Sequence, residues 1–151
     1  MRLWEDYKKT MVQPETIWTA AKSGDLNQLQ DKINNGIDIN SKDNRGYSPL
    51  MLAAYSGDLI TTEYLLRQGA DPNSIDNAGN TVLMGSCFKG YLDITDILYR
   101  CGADIQRKNN AGMDAYEVAT TFGRKEIVRY LETKGIQKNI KNRFIHFIRF
   151  I

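Results

Sequence analysis

Side chains able to act as nucleophile, general base or metal ligand are few in this 151-residue chain. The single histidine is His146, and the two cysteines, Cys87 and Cys101, lie fourteen residues apart. A Ser-His-Asp or Cys-His relay would have to form around His146, in the terminal stretch. One histidine and two cysteines make no zinc site without carboxylates, and neither a phosphate-binding GxxxxGKS/T nor an HExxH pattern occurs. A Gly-Ala-Asp triplet occurs twice, and it reads as a turn signature. Its aspartates, Asp71 and Asp104, are expected to bond nearby backbone rather than move protons. No catalytic residue, metal site or cofactor is therefore expected.

Charge narrows the partner. Twenty basic and 18 acidic residues leave a net charge of +2, too small an excess for a dedicated nucleic-acid binder. The charge is unevenly placed. Residues 136–151 hold Lys138, Lys141, Arg143 and Arg149 and no acid, so the other 135 residues carry −2. Two cysteines make no disulfide framework and suit a reducing compartment. No apolar run reaches the roughly 18 residues of a membrane span, and the first residues show no signal-peptide core. A cytoplasmic protein is expected, with delivery into a host cell left open.

The elements that must position any binding residue are set by a repeat. Gly46, Gly79 and Gly112 are spaced by 33; so are Gly24, Gly57, Gly90 and Gly123, and so are Gly36, Gly69, Gly102 and Gly135. Three glycine series with one period mark stacked units that share a core. The units span 14–42, 43–75, 76–108 and 109–135. Residues 1–13, with Leu3, Trp4, Tyr7 and Met11 at helical spacing, are expected to cap the first. Unit two carries Asp43, Gly46, Ser48-Pro49-Leu50, Ala53-Ala54, Gly57, Leu65-Leu66, Gly69-Ala70-Asp71 and Asn73. Ser48 suits a helix N-cap and Pro49 its first turn; Thr81 is placed like Ser48. Ala53 and Ala54 let helices approach, Gly57 suits a left-handed helix end, and Leu59, Leu65 and Leu66 give the second helix its apolar face.

These motifs resemble the ankyrin-repeat family over roughly residues 10–135. The resemblance implies an all-α repeat solenoid of stacked helix-turn-helix units, with hairpin fingers projecting from about Asp71 to Asp76 and their equivalents. It also implies a non-enzymatic protein–protein recognition module that binds through the concave face. The family's histidine in T-P-L-H, which ties finger to helix, is replaced by Trp18, Met51, Met84 and Glu117. Unit three places Gly85, Ser86 and Cys87 where apolar-Ala-Ala is usual. Gly85 inside a helix costs up to about 1 kcal/mol relative to Ala, so unit three is either locally weak or shaped for a partner. Cys87 falls at a small buried position and reads as core. Cys101 falls near the end of a second helix, with no charge pattern marking it as reactive.

Positions that the family uses for binding carry the candidate contact residues Arg45, Tyr47, Met51, Tyr55, Asn80, Met84, Phe88, Lys89, Met113 and Phe122. Tyr47, Met51 and Tyr55 are four apart and share one helix face; Met84 and Phe88 extend the stripe. Aromatic and Arg anchors dominate interface energetics and Met adapts to irregular surfaces, although Met51 and Met84 equally suit packing between units. For a bacterial source, the family offers an immunity or inhibitor protein that blocks a toxin's active site, or an effector that engages a host protein.

The basic stretch 136–151 has its own helical period. Lys138, Asn142, His146 and Arg149 form a polar stripe, opposite Ile136, Ile140, Phe144, Phe147, Ile148 and Ile151. Three readings stand: a cap on unit four, a partner-binding or self-association helix, or a peripheral membrane-associated regulator that uses Phe144, Phe147 and Arg149 on an anionic surface.

Overall fold

The computed structural model describes residues 15–135. The expected N-terminal cap (1–13) and the amphipathic basic segment (136–151), with its three readings, lie outside the described residues. Within them the chain forms eight α-helices, in four antiparallel pairs: α1 (Ile17–Ser23) and α2 (Leu26–Asn34), α3 (Pro49–Tyr55) and α4 (Leu59–Arg67), α5 (Val82–Lys89) and α6 (Leu92–Arg100), α7 (Ala115–Thr121) and α8 (Lys125–Thr133). The first helices pack in the order α1–α3–α5–α7. The second helices stand behind them, with α4 against α6 and α6 against α8. The fold is the all-α repeat stack that the resemblance implies, in the period that the glycine spacing sets.

Helices of seven to nine residues are too short to persist alone in water, so caps and packing must hold them. Ser48 Oγ accepts the Met51 N–H (3.2 Å) and Thr81 Oγ1 the Met84 N–H (3.1 Å), which places both residues as the N-caps expected of them. Asp25 and Asp58 do the same for α2 and α4, accepting from Gln28 and Thr61 at 3.0 Å. In the first unit the cap falls one position later in the repeat. Thr16 accepts from the Thr19 N–H and Thr19 Oγ1 accepts from the Thr16 N–H, because Glu15 stands where Ser48 stands in unit two.

The core follows the stack axis. Ala20, Ala21, Ala53, Ala54, Ala115 and Ala119 bring the first helices together, and Leu29, Leu65, Leu98 and Leu131 fill the space to the second row. Leu59 and Leu66 pack against this core but are only half-buried. In unit three, Ser86 and Cys87 occupy the two small positions and are fully buried. The Ser86 hydroxyl meets the Thr95 hydroxyl at 3.0 Å across the α5–α6 interface. Whichever of the two donates there, the other can donate to a carbonyl of its own segment, Leu83 for Ser86 or Tyr91 for Thr95. No polar atom of the pair is stranded.

Two glycines show why the period is so strictly kept. Gly57 ends α3 with φ +79°, and a Cβ there would lie 2.9 Å from the Tyr91 ring of the next repeat. Gly79, at φ +76°, would place a Cβ 2.7 Å from Asn110 Oδ1. Each position thus needs both a left-handed backbone and room for the following unit.

The closed hairpin of the finger lies later than 71–76. Residues 71–74 form a turn, with the Ser74 N–H on the Asp71 carbonyl at 3.2 Å, and the antiparallel bridge pairs Ile75 with Thr81. The finger therefore straddles the boundary between units two and three. The cause is Asp76, whose Oδ1 accepts the N–H groups of Ala78 and Asn80, both at 2.9 Å, and so closes the tip around Gly79.

Candidate functional site

The face formed by the finger tips and the first helices is built on a rigid frame. Asp43 and Asn109 repeat what Asp76 does: Asp43 accepts from Arg45 and Tyr47, and Asn109 from Ala111 and Met113. Neighbouring fingers are joined along the backbone, from the Asn77 N–H to the Arg45 carbonyl (3.1 Å) and from the Asn110 N–H to the Ala78 carbonyl (3.0 Å). The side chains of Asn77 and Asn110 repeat the link to the Asn44 and Asn77 carbonyls. Backbone groups are thus satisfied finger to finger, and the tips are presented in fixed order.

Three of the histidine's four replacements find a local polar contact. The Trp18 indole N–H donates to the Ser41 carbonyl at 3.1 Å, tying helix to finger. Glu117 receives the Lys108 ammonium at 3.2 Å and the Asp114 N–H at 3.0 Å, tying the last finger to α7. Met84 turns its sulfur toward the Thr81 N–H at 3.4 Å.

The candidate contact residues divide by exposure. Met84 and Met51 are 2% and 8% exposed. They pack between units and offer no surface to a partner, because a seven- or eight-residue first helix is covered by its own second helix and by the first helices on either side. In α3 and α5 it is mainly the C-terminal end that reaches the surface. There the structure brings Tyr55, Phe88 and Phe122 into one row: Tyr55 and Phe88 are stacked, with centroids 6.2 Å apart and planes at 6°, and Phe88 meets Phe122 edge-on at 4.6 Å. Tyr55 and Phe122 are 48% and 47% exposed, while Phe88 between them is half-buried. Lys89 holds its ammonium 4.9 Å above the Tyr55 ring. At the finger end, the exposed Arg45 lies 5.6 Å over the half-buried Tyr47 ring. Asn80 is engaged in the frame, donating to Asp76 Oδ2 and accepting from Asn109 Nδ2, and Met113 packs partly into the core.

Spacing alone did not show the row's connectivity. Tyr55 and Phe88 are one period apart, but Phe122 is one residue beyond the period. Its ring reaches Phe88 because the turn after α7 is held by Arg124, whose Nε donates to the Phe88 carbonyl at 2.8 Å. Gly85 completes the seat: a Cβ there would lie 3.6 Å from the Tyr55 ring, so that ring rests on bare helix backbone.

The remaining reactive groups are placed structurally. Asp71 and Asp104 accept the Asn73 and Gln106 N–H groups at 2.8 and 2.9 Å, as turn residues do. Cys87 is buried, and desolvation pushes its thiol up to about 12, where it is inert. Cys101 is exposed at the end of α6. No helix among the described residues is long and apolar enough to cross a membrane.

Among curated proteins no match to the chain is found. The family model for ankyrin repeats (3 copies) matches residues 17–109, within the four units described above. Ankyrin repeats are protein–protein interaction modules, and proteins built from them are typically non-enzymatic. With the helix pairs, the linked fingers and this match over more than half its length, the chain belongs to the ankyrin-repeat family.

Proposed function

We propose that the chain recognises a protein partner through the face made of its finger tips and the emergent ends of its first helices, by surface complementarity and without a chemical step. One observation carries this reading. Three aromatic rings from three successive repeats form a continuous row with both ends open to solvent, flanked by a cation poised over Tyr55. Pre-stacked aromatics are large anchors that lose little rotamer freedom on binding. Tyr55, Phe88 and Phe122 are the anchors, Lys89 and Arg45 supply charge at either side, and Tyr47, Asn80 and Met113 fill the half-buried floor. Met51 and Met84 support that floor from beneath.

The experiment is a pull-down from the native host with mass spectrometry, comparing the wild type with Tyr55→Ala/Phe88→Ala and with Ile60→Ser on the opposite, outer face. The expected outcome is a partner retained by the wild type and by Ile60→Ser, with at least tenfold weaker capture by the double variant. Equal capture by all three would remove the aromatic row from the interface. The partner's identity separates the finer roles: a toxin encoded directly upstream indicates an immunity or inhibitor protein, and a host protein indicates an effector.

A further inference from the structure

The outer face carries a groove whose lining positions recur with the repeat. Between α4 and α6 it is open, with a volume of about 210 Å³, and is lined by Glu63, Leu66, Arg67, Ile97 and Cys101. The residues 33 positions on are Asp96, Tyr99, Arg100, Tyr130 and Lys134, at the corresponding place between α6 and α8. The carboxylate–Arg pair is kept, at 3.9 Å for Glu63–Arg67 and 3.1 Å for Asp96–Arg100. The two aliphatic walls have become tyrosines, and the thiol has become an ammonium.

The tyrosines form a corner. Their centroids are 6.4 Å apart and their planes meet at 88°. The Tyr130 hydroxyl donates to Asp96 at 2.8 Å, which fixes that ring against α6. The Lys134 ammonium sits in the corner, 5.3 Å from the Tyr99 centroid and 5.0 Å from that of Tyr130. Among the described residues it makes no salt bridge, so the ring faces are what hold it there. Two ring faces with a carboxylate close behind form a surface that attracts a cation through the ring quadrupoles.

We propose that this corner is a binding site for an organic ammonium ion, quaternary or methylated, and that Lys134 occupies it in cis as a competing internal ligand. A methylated ammonium is less strongly hydrated than the lysine head group and loses less on leaving water for the rings. Lys134 is the C-cap residue of α8, so its side chain can withdraw without opening the helix. The vacated space then corresponds to the groove that is already open one repeat earlier.

The test is titration of the full chain with tetramethylammonium chloride, followed by the ring resonances of Tyr99 and Tyr130, with sodium chloride at equal ionic strength as control. Saturable shifts specific to tetramethylammonium are expected, with at least threefold tighter binding in Lys134→Ala and in Lys134→Gln. Binding should be lost when Tyr99→Ala is added to Lys134→Ala. Circular dichroism on each variant establishes that it is folded; Tyr99→Phe, which keeps the ring, should retain binding. Absence of saturable shifts in both folded Lys134 variants overturns the proposal, as does affinity unchanged by removing the lysine or the Tyr99 ring. Choline and a trimethyllysine peptide then distinguish the source. Equal affinity assigns the site to a free ammonium, and a tenfold preference for the peptide assigns it to a partner's modified side chain.

Discussion

Gly85 and Gly57 differ in backbone and in neighbour, and the same substitution should move stability in opposite directions. Gly85 lies inside α5 without a positive φ, and its added Cβ meets the Tyr55 ring at an ordinary 3.6 Å. Gly85→Ala should therefore recover helix propensity and raise stability by about 0.5–1 kcal/mol. Gly57→Ala must hold φ +79° and displace the Tyr91 ring from 2.9 Å, and should cost about 1–2 kcal/mol for the left-handed backbone alone. Urea denaturation of the two variants checks both signs; a destabilised Gly85→Ala would mean that the Tyr55 ring needs the bare backbone more than α5 needs the methyl. Cys87 gives a pH prediction. Its thiol holds its proton up to about 12 when folded but ionises in the ordinary thiol range when unfolded. Its stabilising contribution is complete below that range and is lost as pH rises toward 12. The slope is at most about 1.4 kcal/mol per pH unit. Cys87→Ala should lose stability less steeply than the wild type above pH 9, measured by denaturation from pH 8 to 11.

At the scale of the helix pair, what matters is which polar groups have a second partner. Ser86 and Thr95 each have an intrasegment carbonyl as well as one another. Ser86→Ala leaves Thr95 its bond to the Tyr91 carbonyl and restores the residue found at Ala53 and Ala119, so it should change stability by less than about 0.5 kcal/mol. Asp58 has no such substitute. It caps α4 through the Thr61 N–H and also accepts the Thr61 hydroxyl at 2.7 Å, so Asp58→Ala should cost about 1–2 kcal/mol. Thermal melts of the two variants separate these expectations. This contrast also explains what was legible in the sequence. Caps such as Ser48 and Thr81, and glycines such as Gly57, can be read because few residue types satisfy those backbone geometries. The turn aspartates Asp71 and Asp104 were legible for the same reason. The side of a short helix that meets solvent was not. Met51 and Met84 share a helical stripe with the emergent aromatics, yet neighbours on three sides enclose them. The inclusion of Phe122 in the row depended on Arg124 bonding across to the Phe88 carbonyl, a contact between repeats that no local pattern encodes.

For the whole molecule, a stack in which each unit touches only its neighbours makes stability a sum of unit and interface contributions. The consequence of a core defect should then depend on where it sits. Leu83, in α5, and Leu131, in α8, are both fully buried, and truncating either to Ala should cost about 2–5 kcal/mol. Yet α5 packs against both α3 and α7, whereas among the described helices α8 packs chiefly against α7 and α6. Leu83→Ala weakens the unit that joins the two halves, so protection should fall together across α3, α5 and α7. Leu131→Ala weakens an outer unit, and the stack can shed it while the first three repeats stay folded. Native-state hydrogen exchange reads the difference directly. In Leu131→Ala, amides of α7 and α8 should exchange through an opening of lower free energy than those of α3 and α5, with the fingers from 76 to 80 still protected. In Leu83→Ala, all four helices should share one opening free energy. If Leu131→Ala instead lowers protection equally from α1 to α8, the described repeats unfold as one cooperative block. The aromatic row at Tyr55, Phe88 and Phe122 would then be held by the stability of the entire stack rather than by the three repeats that carry it.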